Sequence, residues 1–280
     1  MKGNKARKDG ELFEEKIFNL LKNKESVLRN KLELKIKKDF NLTENCLFEY
    51  ELLGNKKVKS IFGDYTTSKS DINVKIKDLN IEKDIGLSLK KNIGTTQAMI
   101  TSVNRFFEVI IKKDIKCNSN IINSMKMICG EIFNEEYCQN QESIRNKRHY
   151  IDELPIEMKS DLINFLQNNL YKILKILIKE GSILEEKYHA DYTIYNLVNY
   201  AEEFNYEVIP VIVNNEELIK ENIEKGIRLT KKTSRSGQNI YLGDYNLKRK
   251  GSGSEKARKY LQSQSRFNLN SHKKIYEKLF

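Results

Sequence analysis

Lys69-Ser70-Asp71-Ile72-Asn73-Val74, and then Ser88-Leu89-Lys90-Lys91 with 16 residues between Asp71 and Ser88, decide how this chain is read. Each stretch has the look of a strand. The first sets an acid at the head of a run of β-formers. The second puts Leu87 and Leu89 on one face and Ser88 and Lys90 on the other, because strand side chains alternate. If the two strands pair, the Asp71 carboxylate and the Lys90 amine meet at one edge of a sheet. Hard divalent cations take oxygen ligands and activate water. Asp71 offers such an oxygen, the carbonyl of Leu89 lies between the two side chains as a further ligand, and Lys90 can orient water or offset charge on a phosphodiester.

The charge balance points the same way. The formal net charge is +11 over 280 residues, and residues 225–280 hold 15 Lys or Arg against 3 Asp or Glu, so residues 1–224 sum to −1. An excess so localised suits a polyanion, since each neutralised phosphate releases counterions. Two clusters stand out, Lys231-Lys232-Thr233-Ser234-Arg235-Ser236-Gly237-Gln238 and Lys248-Arg249-Lys250-Gly251-Ser252-Gly253-Ser254, and Lys256, Arg258, Lys259, Gln262, Gln264 and Arg266 continue the pattern. Lysines and hydroxyls can follow a phosphate backbone, while Arg235 and Gln238 have the donors and acceptors that read base edges.

Other classes are excluded. The four cysteines, Cys46, Cys117, Cys129 and Cys138, contain no CxxC pair, and three scattered histidines assemble no local zinc set. They read as free thiols in a reducing cytoplasm. The Met-Lys-Gly-Asn-Lys-Ala-Arg-Lys opening has no apolar signal region, and no stretch is long and apolar enough for a membrane span.

Along the chain, residues 10–23 pattern as an amphipathic helix through Leu12, Phe13, Ile17, Phe18 and Leu21. Strands are expected at Cys46–Leu52, Lys57–Phe62, Asp71–Lys77 and Ile85–Lys91. From Thr96 to Lys112, Met99, Ile100, Val103, Phe106, Phe107, Ile110 and Ile111 trace a helix face. Residues 120–148 and 157–180 read as helical, Glu207–Val213 as a buried strand, and Asn215–Glu224 as a short helix. In the tail, helices are expected over Ser254–Gln262 and from Ser271. With no repeat and no long linker, the expectation is one α/β domain over 1–280, with a catalytic core at about 10–112 plus strand 207–213 and a basic DNA-binding portion at 225–280.

On Lys69-Ser70-Asp71, on Gly86-Leu87-Ser88-Leu89-Lys90-Lys91 and on Glu14 in the phrase Gly10-Glu11-Leu12-Phe13-Glu14, the chain resembles the PD-(D/E)xK nuclease superfamily, most closely type II restriction endonucleases. The resemblance covers about 90 residues. It implies a restriction-endonuclease-like fold, a central mixed sheet flanked by helices. It also implies Mg2+ held by Asp71, with Lys90 helping to activate water and a helix glutamate, here Glu14, near the metal.

The chain departs from the pattern twice. Ser70 stands where proline is usual, and Ser88 stands where a second acid is usual, so a charged ligand is missing. Glu14 and Glu108, 18 residues beyond Lys90, are the two candidates to replace it. Glu14 shares a helix face with Phe18 and Leu21, where a carboxylate is costly unless paired or metal-bound. Asp64 is a third acid, and Gln97 and Arg105 follow the lysine strand as candidate phosphate contacts.

The resemblance thus implies site-specific cleavage of duplex DNA by Mg-activated water. A symmetric dimer on a palindromic target is the natural arrangement, and a cognate DNA methyltransferase would protect the host. Two other readings stay open: a structure-specific or repair nuclease of the same fold, and a catalytically inactive DNA-binding protein, which Ser88 would favour.

Overall fold

The computed structural model describes residues 2–79, 81–90, 95–139, 141–196, 210–230, 239–249 and 260–266. Two helices come first, α1 (Lys2–Lys22) and α2 (Val27–Phe40). Strands follow: β1 (Leu47–Leu52), β2 (Lys57–Lys59), β3 (Tyr65–Thr67), β4 (Ile72–Asp78), β5 (Ile81–Lys90) and β6 (Thr95–Ser102). Next come the helices α3 (Val103–Lys112), α4 (Ser119–Cys129), α5 (Gln141–Asn146), α6 (Ile156–Asn168) and α7 (Leu170–Lys175), the last continuing as a wider turn over Ile176–Glu180. The chain closes with β7 (Tyr192–Asn196), β8 (Pro210–Asn214), α8 (Asn215–Lys225), β9 (Ile227–Leu229), β10 (Ile240–Leu242), β11 (Tyr245–Arg249) and β12 (Tyr260–Arg266). These elements gather into two compact units, one from Met1–Gly94 and Lys179–Leu218, the other from Thr95–Ile178 and Ile219–Phe267.

The first unit is built on a five-stranded sheet in the order β1-β4-β5-β7-β8, in which β5 and β7 run parallel and the other neighbours antiparallel. This is the mixed central sheet flanked by helices that the sequence led us to expect. Period-two alternation sorts its side chains. Ile72, Val74, Ile76, Ile85, Leu87, Leu89, Tyr192, Ile194 and Ile212 form one buried face. Against it pack Phe13, Ile17 and Leu21 of α1 and Leu28, Leu32 and Ile36 of α2, each set spaced four residues apart on one helix side. Polar bonds fasten α2 further: Asp39 accepts from Tyr192 OH and from Asn214 Nδ2, each at 2.8 Å. The opposite face carries polar residues on β4 and β5, beginning with Asp71 and continuing through Asn73, Ser88 and Lys90, and buried Tyr195, Val211 and Val213 on β7 and β8.

One glycine is fixed by packing. A Cβ on Gly86 would stand 1.8 Å from the His189 carbonyl oxygen, so β5 can approach the segment leading into β7 at that point with no side chain there.

The second unit holds an antiparallel sheet in the order β6-β12-β11-β10-β9. Residues Thr95–Ser102 are strand β6, although 96–102 were expected to open a helix, and the helix begins only at Val103, where Ser102 Oγ caps it by accepting from Arg105 N at 3.1 Å. Pairing with β12, over 150 residues away in sequence, overrides the local apolar spacing. For the same reason Tyr260–Gln262, expected at the end of a helix, belong to β12. The helix expected from Ser271 lies outside the described residues, as do 207–209 of the expected strand that proves to be β8. Among the described residues, no helix is long and apolar enough to cross a membrane.

Candidate active site

Asp71 stands immediately before β4, with its backbone held on both sides. Its N–H donates to Leu87 O at 2.7 Å, and its carbonyl accepts from Leu53 N at 2.8 Å and Gly54 N at 3.0 Å. The carboxylate is aimed across at β5, where Oδ2 accepts from Leu89 N at 2.6 Å and, at a long 3.5 Å, from Ser88 Oγ. Burial pushes the Asp71 carboxyl above its ordinary value, against the pull of the Lys90 charge, the Leu89 N–H, the Ser88 hydroxyl and Lys69. Within a strand a residue's N–H and C=O point to the same edge, so the Leu89 carbonyl lies on the edge that its N–H shares with Asp71. Ser88 itself is buried and supplies no charge; its hydroxyl serves Asp71 instead.

Glu14 joins this group from α1. It is half-buried on the side of the helix that carries Ile17 and Leu21, and its Oε2 lies 3.8 Å from where a Gly54 side chain would begin. Gly54 is also the residue whose N–H bonds the Asp71 carbonyl. The Glu14 carboxyl is pushed up to about 7, first by burial, then by the negative charges of Asp71 and Glu11, with Lys90 acting the other way. A carboxyl whose affinity for a proton is raised by a neighbouring carboxylate marks a place where added positive charge is welcome.

Lys69, two residues before Asp71, lies close enough to act on the same group. Its backbone N–H bonds Tyr188 O at 3.2 Å, and its stem runs 3.8 Å from where a Gly181 side chain would begin. Burial, then the charge of Lys90, pushes its amine down to about 7 against the pull of Asp71. The parity of 69 and 71 was visible in the sequence; the burial was not. Ser70, in the usual proline position, is fully buried with its hydroxyl 3.1 Å from Ser68 Oγ.

The remaining candidates fall elsewhere. Glu108 belongs to the second unit, exposed on α3 with Arg105 Nη1 3.5 Å from its carboxylate. Asp64 is exposed in the β2–β3 turn, where Ser60 Oγ bonds it. Lys248 is half-buried on β11, whereas Arg249 beside it is 8% exposed and donates from Nη1 to Asn146 O at 3.1 Å. Lys231, Lys232, Arg235, Gln238, Lys250, Lys256 and Arg258 lie outside the described residues, and nothing is described of the Gln97 side chain.

Among the described residues, no group of three or more His, Cys, Asp or Glu side chains is placed to hold a metal ion. Magnesium does not demand such a cage, since it commonly takes one or two carboxylates and keeps several waters. Asp71, Glu14 and the Leu89 carbonyl fit that need, because their chemistry is hard oxygen and the Asp71 charge already works against ionisation of Glu14.

The mixed central sheet flanked by helices is an α/β fold of restriction-endonuclease-like architecture. The chain is similar to the crystal structure of restriction endonuclease MspI in complex with its cognate DNA, with a TM-score of 0.58 and 15% sequence identity, covering 91% of this chain and 88% of that one. At that identity the likeness shows the fold. No protein-family model matches the chain, and no curated protein matches it.

Proposed function

We propose that this protein is a Mg-dependent type II restriction endonuclease that cleaves duplex DNA at a short recognition sequence. The observation that carries the reading is the convergence of Asp71, Glu14, Lys90 and Lys69 at one end of the central sheet, with burial shifting three of them toward their uncharged forms. The fold-level likeness to a restriction endonuclease supports it.

In this reading Asp71, Glu14 and the Leu89 carbonyl would hold Mg2+, and Glu14 replaces the acid missing at Ser88. A bound Mg2+ supplies a Lewis acid for a phosphoryl oxygen and a lowered pKa for attached water. Asp71, kept in place by the Leu89 N–H, fixes where the reacting phosphate must sit. Lys90 orients the attacking water and offsets charge that develops on the pentavalent phosphorus oxygens. Lys69 adds a second amine beside Asp71 and Lys90. The partners are duplex DNA, a second copy of the chain on a palindromic target and, in the same system, a methyltransferase that protects the site.

A second reading, a catalytically inactive DNA-binding protein, is favoured by the neutral Ser88. Digestion of a mapped plasmid with Mg2+, with Asp71→Asn run alongside, separates the two. Discrete fragments from the wild type and intact plasmid with the variant are expected. A random smear would favour a structure-directed or repair nuclease, and an uncut plasmid with retained binding the inactive protein.

A further inference from the structure

The two faces of the second unit's sheet differ in a way that the catalytic reading does not use. Strand register lines up Arg228 with Tyr241, Tyr241 with Asn246, and Asn246 with Gln264, so that β9, β10, β11 and β12 form one continuous row. Two residues along, Lys248 stands opposite Gln262. Asn246, Lys248, Gln262 and Gln264 therefore make a two-by-two block on one face, with directly opposed Cβ atoms about 5 Å apart. The other face of the same strands buries Leu242, Tyr245, Leu247, Leu261 and Ser263.

That block has unspent hydrogen-bonding capacity. Among the described residues, none gives a hydrogen bond to the side chain of Asn246, Lys248, Gln262 or Gln264, and Asn246 Oδ1 is buried without a partner. Gln262 is only 8% exposed, and a carboxamide so deeply placed is normally bonded. Among the described residues, the three carboxamides and the ammonium of this face thus have no side-chain hydrogen-bond partner. At its border the Arg228 guanidinium lies 5.2 Å from the centre of the Tyr241 ring.

The sequence that connects these strands is basic. The described strand ends Leu229, Ile240, Arg249 and Tyr260 lie at one end of the sheet, and in sequence residues 230–239 join β9 to β10 and residues 250–259 join β11 to β12. The first segment carries Lys231, Lys232 and Arg235 with no acid; the second carries Lys250, Lys256, Arg258 and Lys259 against Glu255. A face of three carboxamides and one ammonium, on strands whose connecting sequence is basic, matches a ligand that offers phosphates next to donor–acceptor edges.

We infer that the face carrying Asn246, Lys248, Gln262 and Gln264 reads base edges in the major groove of duplex DNA. A β-ribbon fits that groove, a carboxamide pairs with adenine N6 and N7, and a lysine donates to guanine O6 and N7. The inference rests on the proposed nuclease reading and assigns its sequence specificity to β11 and β12. Arg249 takes no part, since the pleat turns it to the buried face.

The test uses the full chain carrying Asp71→Asn, with Ca2+, to select a preferred duplex from a randomised library. Lys248→Gln and Gln264→Ala, both at half-buried positions, are then each added, and Asn246→Ala with them. Each should lower the ratio of affinity for the selected over a scrambled duplex by about 5- to 150-fold, with the lost preference mapping to one base pair. Thermal melts confirm folding; if Asn246→Ala fails to fold, the other two decide. Selection of the same sequence at the same ratio by the folded variants overturns the inference and leaves the nuclease reading standing. Selection of no sequence by the Asp71→Asn parent overturns both.

Discussion

Both units present a sheet with one apolar face packed inward, yet their polar faces are in opposite states. In the first unit the polar groups are already engaged: Asp71 holds the Leu89 amide, Asn73 Nδ2 reaches Asp84 at 2.7 Å, and Asp191 accepts from Gly86 N at 3.0 Å and from Lys179 at 3.0 Å. The Oδ1 of Asn73 is left over. In the second unit Asn246, Lys248, Gln262 and Gln264 have no such partners among the described residues. The contrast separates two needs. Chemistry wants charged groups held in fixed places before substrate arrives, because preorganised charge needs no rearrangement at the moment of reaction. Recognition wants donors and acceptors kept unspent, because a site whose polar groups would stay unpaired rejects the wrong partner.

The largest expected effect is at the held end. Asp71→Asn removes a charged ligand and should lower cleavage by roughly 10³-fold or more, while binding of the specific duplex is kept or tightened through relief of carboxylate–phosphate repulsion. Cleavage and gel-shift assays on one preparation read both. Near-full cleavage would take Asp71 out of the site. Lys90→Ala follows, with a loss of about 10²–10³-fold, the worth of one positioned charge. A loss confined to affinity would make Lys90 an ordinary phosphate contact.

Glu14→Gln should sharpen the comparison through stability. The folded-state carboxyl is raised from 4.5 to about 7, so the fold resists its ionisation. The stability of metal-free protein should therefore fall as pH climbs from about 4.5 through 7 and stay lower above. The neutral Gln removes that penalty. At pH 8 the variant should be more stable by about 1–2 kcal/mol, allowing for solvent screening of a half-buried group. Urea titrations at pH 5 and pH 8 show it, and a variant equally destabilised at both would mean that Glu14 packs rather than repels.

Smaller effects test the pleat. Arg249→Ala strips a buried bond to the Asn146 carbonyl and should cost about 1–3 kcal/mol, whereas Lys248→Ala next to it should stay within about 0.5 kcal/mol. Equal losses would show that the two side chains are not divided between faces. The smallest effect is at Asp39. Burial alone would raise its carboxyl, but the bonds from Asn214 and Tyr192 and the Lys35 charge hold it below the ordinary 3.8. Its stabilisation is present above that value and is lost as pH falls through the folded one. Asp39→Asn should therefore flatten acid unfolding below pH 4, and an unchanged acid limb would discount those bonds.

Much of the first unit was legible because its signals are local. The 71–77 and 85–91 sequences alternate cleanly, and the antiparallel pairing of β4 with β5 puts Asp71 and Lys90 on one face, near enough for the Lys90 charge to act on Asp71. Helix α2 was missed, since Leu28, Leu32 and Ile36 are its buried residues among lysines and its apolar stripe is thin. Strand β7 was missed too. All five of its residues are buried and two of them are tyrosine, so neither alternation nor helical spacing marks it. In the second unit the sequence misled for a different reason. Met99 and Ile100 continue the apolar spacing of α3, and the partner that makes Thr95–Ser102 a strand is β12. Ser88 announced that an acid was missing, while the choice of Glu14 rests on α1 packing against the sheet, which no spacing in the sequence reveals.

The most direct test of the central claim, that Asp71 and Glu14 together form the metal site, is a titration of Mn2+ into the metal-free chain, followed by electron paramagnetic resonance at pH 8. Mn2+ favours the same oxygen ligands as Mg2+. The account predicts one Mn2+ per chain, with affinity loosened about tenfold or more in Asp71→Asn and again in Glu14→Gln. Unchanged affinity in both folded variants would contradict it.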